Sequence, residues 1–555
     1  MTDHIRPQSA PTPDSFAPAA ERLAKQRPLK NPQLRRIDND LDGDRLDQSE
    51  SALAGYLAKR PNDADAIYLL ARIHLRRGHR EQAAMELARC LDRAPDFAAA
   101  RFNYASLLLK LGRFRAALQE TDELQRQDGS NPIFLQLKAD ILETMGDSVQ
   151  AVAICERLAS ENPGRAESWM NYGHMLRATG QPGQAIAAYR RAIDCRPSFG
   201  LAYWGLANIK SFVFHNADIE AMMQQLGRTD LPDSDRAPLQ FALGKAYEHV
   251  RAFEKSFEQY ARANAAMRLR MPYDADAMTR LVNETKAVLT SEFIDSRVRA
   301  GCRAPDPIFV LSLPRSGSTL VEQMLSCHTS IEATGELPHL PAIVRHIEEV
   351  AASSGSSYPG FLKNFEPSAL RTLGEEYLER VEVHRKTDRP FFVDKQPRNW
   401  LEVGLLRLIL PNAKIVEVRR HPVASSLSVF KHYFNMTRPR LSELGRLYLE
   451  YVALMSHFDS VLPGAIHHVV YENLVANPEI ELRKLLSFLG LPFEEDCLRF
   501  FESKRTVLTP SAEQVRRPIT RDAVDHWRNY EPWLGPLLAS LGPAAELYPS
   551  TTAST

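Results

Sequence analysis

The sequence predicts two joined folds, an all-α solenoid followed by an α/β domain with a central parallel sheet, and three observations carry that reading. Glycines recur at Gly78, Gly112, Gly146 and Gly180 and alanines at Ala83, Ala117, Ala151 and Ala185, each series stepping by 34 residues, a period typical of stacked helix pairs. Beyond about residue 304 short apolar runs alternate with helical segments, as strands of a parallel sheet do. The first of those runs, Ile308-Phe309-Val310-Leu311, leads through a Ser/Gly loop into a helix, an arrangement whose backbone N–H groups converge on an anion.

The bulk numbers frame the elements. With 555 residues, 44% of them hydrophobic and 25% charged, the chain is too long for one core and too apolar to be disordered throughout. Lys+Arg and Asp+Glu are equal at 69 each, so no global charge argues for nucleic acid or an anionic membrane, and charge has to be read locally. Residues 1–46 are expected to be an unordered tail. The start holds neither the apolar core of a signal peptide nor a membrane-spanning run, so a cytoplasmic protein is expected. The six cysteines are far apart, without CxxC or metal-ligand spacing, and read as reduced residues rather than a disulfide framework or zinc site.

The solenoid is placed at 47–270. Clear copies occupy 64–97, 98–131, 132–165 and 166–199, a further copy lies at 237–270, and a degenerate one precedes residue 64. The copy at 166–199 carries Trp169, Tyr172-Gly173, Leu176, Gly180, Ala185, Tyr189, Ala192 and Pro197, the signature of tetratricopeptide repeats. Gly173 and Ala185 let paired helices approach, Gly180 breaks the chain between them and Pro197 stops the second helix. The same places at 237–270 hold Leu243-Gly244, Tyr247, Ser256, Tyr260 and Ala263. The aromatics are assigned to inter-helix packing, and the concave face of such an array suits a peptide or protein partner.

A helical bridge at 271–303 leads to the α/β domain at 304–542, with strands at Pro307 to Leu313, Pro390 to Val393, Ala413 to Val418 and Ile466 to Val470. Residues 543–555, rich in Ser and Thr, are expected to be a second unordered tail. In the loop Arg315-Ser316-Gly317-Ser318-Thr319, glycine permits close backbone approach, arginine offers a fork of donors and the hydroxyls add more. A nucleoside-triphosphatase loop needs Lys before its Ser/Thr, and Ser318 stands there instead. Asp394, the candidate magnesium ligand at a strand end, is crowded by Lys395 and Arg398, so metal-dependent ATP chemistry is disfavoured. A sulfuryl group carries less charge than a phosphoryl group and can be transferred from an Arg/Lys/Ser cradle without metal.

Leu-Pro-Arg-Ser-Gly-Ser-Thr-Leu after a strand resembles the 5′-phosphosulfate loop of sulfotransferases. Arg420-His421-Pro422 through Ser428 is similar to the family's 3′-phosphate motif, in which an Arg precedes a Ser by eight residues. Gly335-Glu336, Asp394-Lys395-Gln396-Pro397, Tyr471-Glu472-Asn473-Leu474 and Ser511 through Pro518 resemble protein-tyrosine sulfotransferases, and bacterial proteins that join such a domain to tetratricopeptide repeats. The resemblance covers about 304 to 530. It implies 3′-phosphoadenosine 5′-phosphosulfate as donor cosubstrate and no metal. It also implies Glu336 as base, Lys395 and Ser511 as stabilisers of developing charge, and Arg315 at the 5′ end of the donor with Ser316 to Thr319. Arg420, Ser428 and Arg517 would take the 3′-phosphate, and Tyr471 the nucleotide.

Two departures stand out. Four residues after Ser428 the tyrosine-sulfating family has an arginine where this chain has His432, and before the late Trp527 it has a lysine where this chain has His526. A shorter, mostly neutral side chain puts donor contacts there in doubt. The favoured reading is transfer of a sulfuryl group to an acceptor hydroxyl, a protein tyrosine being one candidate, with the repeats holding substrate or partner. The alternatives are a carbohydrate, lipid or small-molecule acceptor, and a repeat adaptor that only binds nucleotide.

Overall fold

A computed structural model describes residues 23, 29–42, 45–434, 437–503, 505–507, 509 and 513–548. They form two compact units divided between Glu161 and Asn162. The division lies inside the expected solenoid, so the copy at 166–199 and all that follows belong to the unit that holds the α/β domain.

The first unit is a run of helix pairs: Ala64–Arg76 with Arg80–Arg93, Ala98–Lys110 with Phe114–Gln127, and Pro132–Thr144 with Ser148–Glu161. Each pair turns at a glycine of the 34-residue series, with φ of 78° at Gly78, 76° at Gly112 and 79° at Gly146, a conformation glycine adopts without steric cost. Part of the segment expected to be an unordered tail is structured. Pro32–Asp42 is a helix whose Leu34, Ile37 and Leu41 are buried with Leu53 and Tyr56 of the helix Leu46–Lys59. Its apolar stripe at i, i+3 and i+7 was masked by the polar composition around it.

In the second unit the repeat helices continue as Ala166–Ala178, Pro182–Cys195, Gly200–Ala207, Asn216–Leu226, Asp233–His249 and Phe253–Arg270. A Cβ on Gly173 would lie 2.8 Å from the Tyr189 ring and one on Gly205 2.5 Å from the same ring, so the two glycines make the slot that seats this tyrosine. The bridge is two helices, Ala275–Val288 and Ser291–Arg297. Their N-termini are capped by the Asp274 carboxylate, accepting from Ala277 N–H at 2.9 Å, and the Thr290 hydroxyl, accepting from Phe293 N–H at 3.2 Å.

The sheet has five parallel strands: β1 Pro307–Ser312, β2 Ile331–Gly335, β3 Phe391–Lys395, β4 Lys414–Arg419 and β5 Ile466–Val470, in the order β2-β3-β1-β4-β5. Ile308 and Val310 of β1 pack into one apolar cluster and Phe309 and Leu311 into another, so both faces are covered. β2 was not expected, because Ile331-Glu332-Ala333-Thr334-Gly335 lacks an apolar run. Its buried Glu332 is satisfied by Thr387, whose backbone N–H and hydroxyl donate at 3.3 and 3.0 Å.

The segment 543–555, expected to be unordered, is structured up to residue 548. Ala544–Leu547 is a helical turn, and the Tyr548 hydroxyl donates to Glu472 Oε2 at 2.6 Å. No helix among the described residues is long and apolar enough to cross a membrane.

Candidate functional site

In an open parallel sheet, ligands collect at the carboxyl ends of the strands where the connections diverge. The loop Leu313 to Gly317 follows β1, Glu336 follows β2, Lys395 closes β3, Arg420 follows β4 and Tyr471 follows β5. Every strand therefore delivers one of the expected site segments.

The loop after β1 holds Arg315 at φ 68° and Gly317 at φ 99°, and Gly317 caps the helix Ser318–Ser326. A side chain at Gly317 would place its Cβ 2.4 Å from the Tyr471 ring, so only glycine lets the loop pass beneath this tyrosine. Ser316, Ser318 and Thr319 are buried. Ser312 Oγ donates to Ser318 Oγ at 3.1 Å, and Thr319 Oγ1 lies 3.3 Å from Thr509 Oγ1.

Arg420 and Ser428 were expected to meet at one phosphate, and they meet at Arg315. Arg315 Nε donates to Ser428 Oγ at 3.1 Å, Arg420 Nη1 donates to the Arg315 carbonyl at 3.1 Å, and the Arg420 guanidinium lies 4.8 Å from the centre of the Tyr471 ring. Burial, with Arg420 beside it, brings the Arg315 pKa down to about 10. Arg315 and Arg420 are thus gathered with Ser428 and Tyr471 at the loop that follows β1.

At the ends of β2 and β3, Lys395 is fully buried and its Nζ pairs with Glu336. A second carboxylate, Glu322 of the helix Ser318–Ser326, lies 3.9 Å from the same nitrogen. Arg505 grips Glu322 Oε1 at 2.7 Å and Gln323 Oε1 at 2.7 Å. Neither Glu322 nor Arg505 was singled out from the sequence. The available signal was Glu322-Gln323 interrupting the apolar stretch Leu320 to Leu325, whereas Arg505 lies in no motif. Asp394, next along β3, accepts from the Tyr377 hydroxyl at 2.7 Å, and burial raises its pKa to about 7.

The late segment is less complete. Ser511 lies outside the described residues. Arg517 is 54% exposed, with Nη2 3.5 Å from Glu513 Oε1. Glu513 is held by the repeats, accepting from the Ser211 N–H at 3.1 Å, the Ser211 hydroxyl at 3.0 Å and the Lys210 N–H. Arg516 Nη2 donates to the Ala178 carbonyl at 3.1 Å, and a Cβ on Gly180 would lie 2.9 Å from its guanidinium carbon. Both histidines of the departing positions are placed. His432 is buried, its ring 4.9 Å from that of Trp204, and burial with Arg315 nearby holds it neutral. His526 Nε2 is 3.0 Å from Lys431 Nζ and 3.5 Å from Glu248 Oε1.

Residues 307–495 match the sequence profile of the Sulfotransferase family, and 81–141 and 137–198 match profiles of the tetratricopeptide repeat. An uncharacterized protein of Aquifex aeolicus is 28% identical over 450 residues, covering 80% of this chain and 58% of that protein. Protein-tyrosine sulfotransferase A of Caenorhabditis elegans is 23% identical over 229 residues, 40% of this chain and 60% of that enzyme. The chain thus spans less than two thirds of these relatives. Among solved structures, the sulfotransferase domain of the Synechococcus PCC 7002 olefin synthase is similar at 23% identity and a TM-score of 0.31, over 41% of this chain and 88% of that domain.

Proposed function

We propose that this chain, which joins tetratricopeptide repeats to a sulfotransferase-family domain, moves a sulfuryl group from 3′-phosphoadenosine 5′-phosphosulfate to an acceptor hydroxyl. The observation that carries the reading is the pairing of two unlike sites along one sheet edge. Arg315, Arg420, Ser428 and Tyr471 are gathered at β1, β4 and β5, and the buried Lys395–Glu336 pair lies at β2 and β3. The first is suited to an anionic nucleotide and the second to proton transfer.

In this reaction the acceptor oxygen attacks sulfur as the bond from sulfur to the donor's bridging oxygen breaks, and 3′-phosphoadenosine 5′-phosphate leaves. Glu336 takes the proton of the attacking hydroxyl. Lys395 and Ser511 stabilise charge developing on the bridging oxygen and the sulfonate. Arg315, with the loop Ser316 to Thr319, takes the 5′ end of the donor, while Arg420, Ser428, Tyr471 and Arg517 take its nucleotide and 3′-phosphate. The likeness of residues around Glu336 and Lys395 to protein-tyrosine sulfotransferases supports tyrosine as the acceptor, with the repeats holding the acceptor protein or a partner.

The test is calorimetry with 3′-phosphoadenosine 5′-phosphate, followed by incubation with sulfur-labelled donor and a native extract. Binding and label in tyrosine-containing protein are expected, with turnover of Glu336→Gln about 10² to 10⁴ times lower. No nucleotide binding would overturn the donor, label on other acceptors the tyrosine reading, and turnover within a few-fold of the parent the base assignment.

A further inference from the structure

The repeats reach the nucleotide end of the site with charge. Lys245 lies on the helix Asp233–His249, Lys210 in the turn after Gly200–Ala207, and Lys431 at the end of the helix Pro422–Phe430, three residues past Ser428. The Lys245 and Lys431 ammoniums both pair with Glu248, whose Oε2 also accepts from the Tyr530 hydroxyl at 2.8 Å. One buried carboxylate is thus shared between two lysines. Lys210 has no carboxylate or other acceptor for its ammonium among the described residues, since Glu513 is taken up by backbone N–H groups and the Ser211 hydroxyl.

The Lys210 pKa is brought down to about 7 by desolvation first and then by Lys245 and Arg315, with Glu248 opposing the shift and Lys431 adding to it. Geometry sets the Lys210 turn beside the donor residues: Glu513, which accepts from its N–H groups, lies 3.5 Å from Arg517, and Trp204 of the preceding helix packs 4.9 Å from His432, the neighbour of Lys431. Burial likewise draws Lys431 down to about 8, although Glu248 opposes the shift. Three ammoniums against the one carboxylate of Glu248 leave a surplus of positive charge poorly served by water, which an anion relieves.

We propose that Lys210, carried by the repeat array, acts with Lys431 as a ligand of the donor's 3′-phosphate, so that the repeats form part of the donor site. This rests on the donor reading above. The phosphate assigned to Arg420 and Ser428 falls beside these lysines, because Arg315 Nε touches Ser428 Oγ at 3.1 Å and Lys431 caps the helix that carries Ser428. It also accounts for the two departures. His432 is neutral and buried, His526 is turned to Lys431 and Glu248, and the missing cations are supplied by Lys431 and by a residue from outside the α/β domain.

The test is calorimetry on the full chain with 3′-phosphoadenosine 5′-phosphate and with adenosine 5′-phosphate, which lacks the 3′ group. Lys210→Met is expected to weaken the bisphosphate about tenfold or more and the monophosphate less than twofold, the loss of one charge-assisted contact. Lys210→Arg is expected to restore most of the affinity, and Lys255→Met, an exposed lysine on the helix Phe253–Arg270, to change neither ligand. Parent-like binding of the bisphosphate by Lys210→Met would overturn this assignment and leave the donor reading standing, as would equal weakening of both nucleotides. Failure of the parent chain to bind the bisphosphate would overturn the donor reading and this inference together.

Discussion

The repeats of the first unit and the copy at 237–270 of the second share the same landmark offsets but differ in what fills them. In the first unit the positions hold the residues that packing asks for, Gly78, Gly112 and Gly146 at the turns and the fully buried Ala83, Ala117 and Ala151 between helices. In the copy at 237–270 the turn position is Arg251, at φ 58°, and the alanine position is Ser256. Ser256 donates to the Gly244 carbonyl at 2.7 Å and lies 2.9 Å from the hydroxyl of Tyr530, a residue of the α/β domain. At Ser256 the pattern breaks where the repeat makes a polar contact with the sheet-bearing domain. A departure of this kind can therefore mark an interface as well as decay of the repeat.

The largest expected contrast is in the response to acid, because each set buries a carboxyl of opposite character. Asp140, in the first unit, accepts from Gln136 at 2.8 Å and has its other oxygen unpartnered, so burial holds its pKa well above 3.8. Glu248 is also penalised by burial, but Lys431 and Lys245 outweigh that and hold it well below 4.5. The signs are opposite by linkage. The contribution of Asp140 is complete below 3.8 and is lost as pH rises through its raised value, whereas that of Glu248 is complete above 4.5 and is lost as pH falls through its depressed value. Peptide-resolved hydrogen exchange on acidification from pH 7 should show helix Pro132–Thr144 gaining protection before helix Asp233–His249 loses it, with Asp140→Asn abolishing the gain. Parallel changes in both helices would break the comparison.

How far the sequence revealed the molecule follows from the same distinction. The 34-residue period and the strand-loop-helix at 307–326 were legible because each imposes a local residue pattern, glycine at a positive φ or an apolar run. The residues drawn to the strand ends, Arg315, Glu336, Lys395, Arg420 and Tyr471, were legible because they lie in short motifs. β2 was not, since its polar Glu332 is satisfied only by a segment more than fifty residues away. Glu322, Arg505 and Lys210 were not, because their roles arise from the meeting of distant segments, as when Glu513 caps the Lys210–Ser211 turn.

Ser256→Ala restores the landmark residue and so isolates what the departure does. The substitution leaves no large cavity, and the Tyr530 hydroxyl keeps Glu248 as its acceptor. A loss of about 1 kcal/mol in equilibrium denaturation is expected, the ordinary size for one buried hydrogen bond. A gain on mutation would mean that the repeat tolerates Ser256 rather than uses it.

Arg251 gives the smallest effect and the sharpest sign. A non-glycine residue in the left-handed region carries a steric cost of about 1–2 kcal/mol, which the glycines at the other turns avoid. Arg251→Gly is therefore expected to stabilise the chain, by about 0.5–1 kcal/mol after the entropy of the freer unfolded backbone is subtracted. The reverse change in the first unit, Gly112→Arg, is expected to cost about as much, since it places the same strain in a turn of the same geometry. Denaturant midpoints of the two variants moving in opposite directions would show that the turns are equivalent and that only their residues differ. Loss of stability in Arg251→Gly would mean that the arginine side chain contributes more than its backbone strain costs.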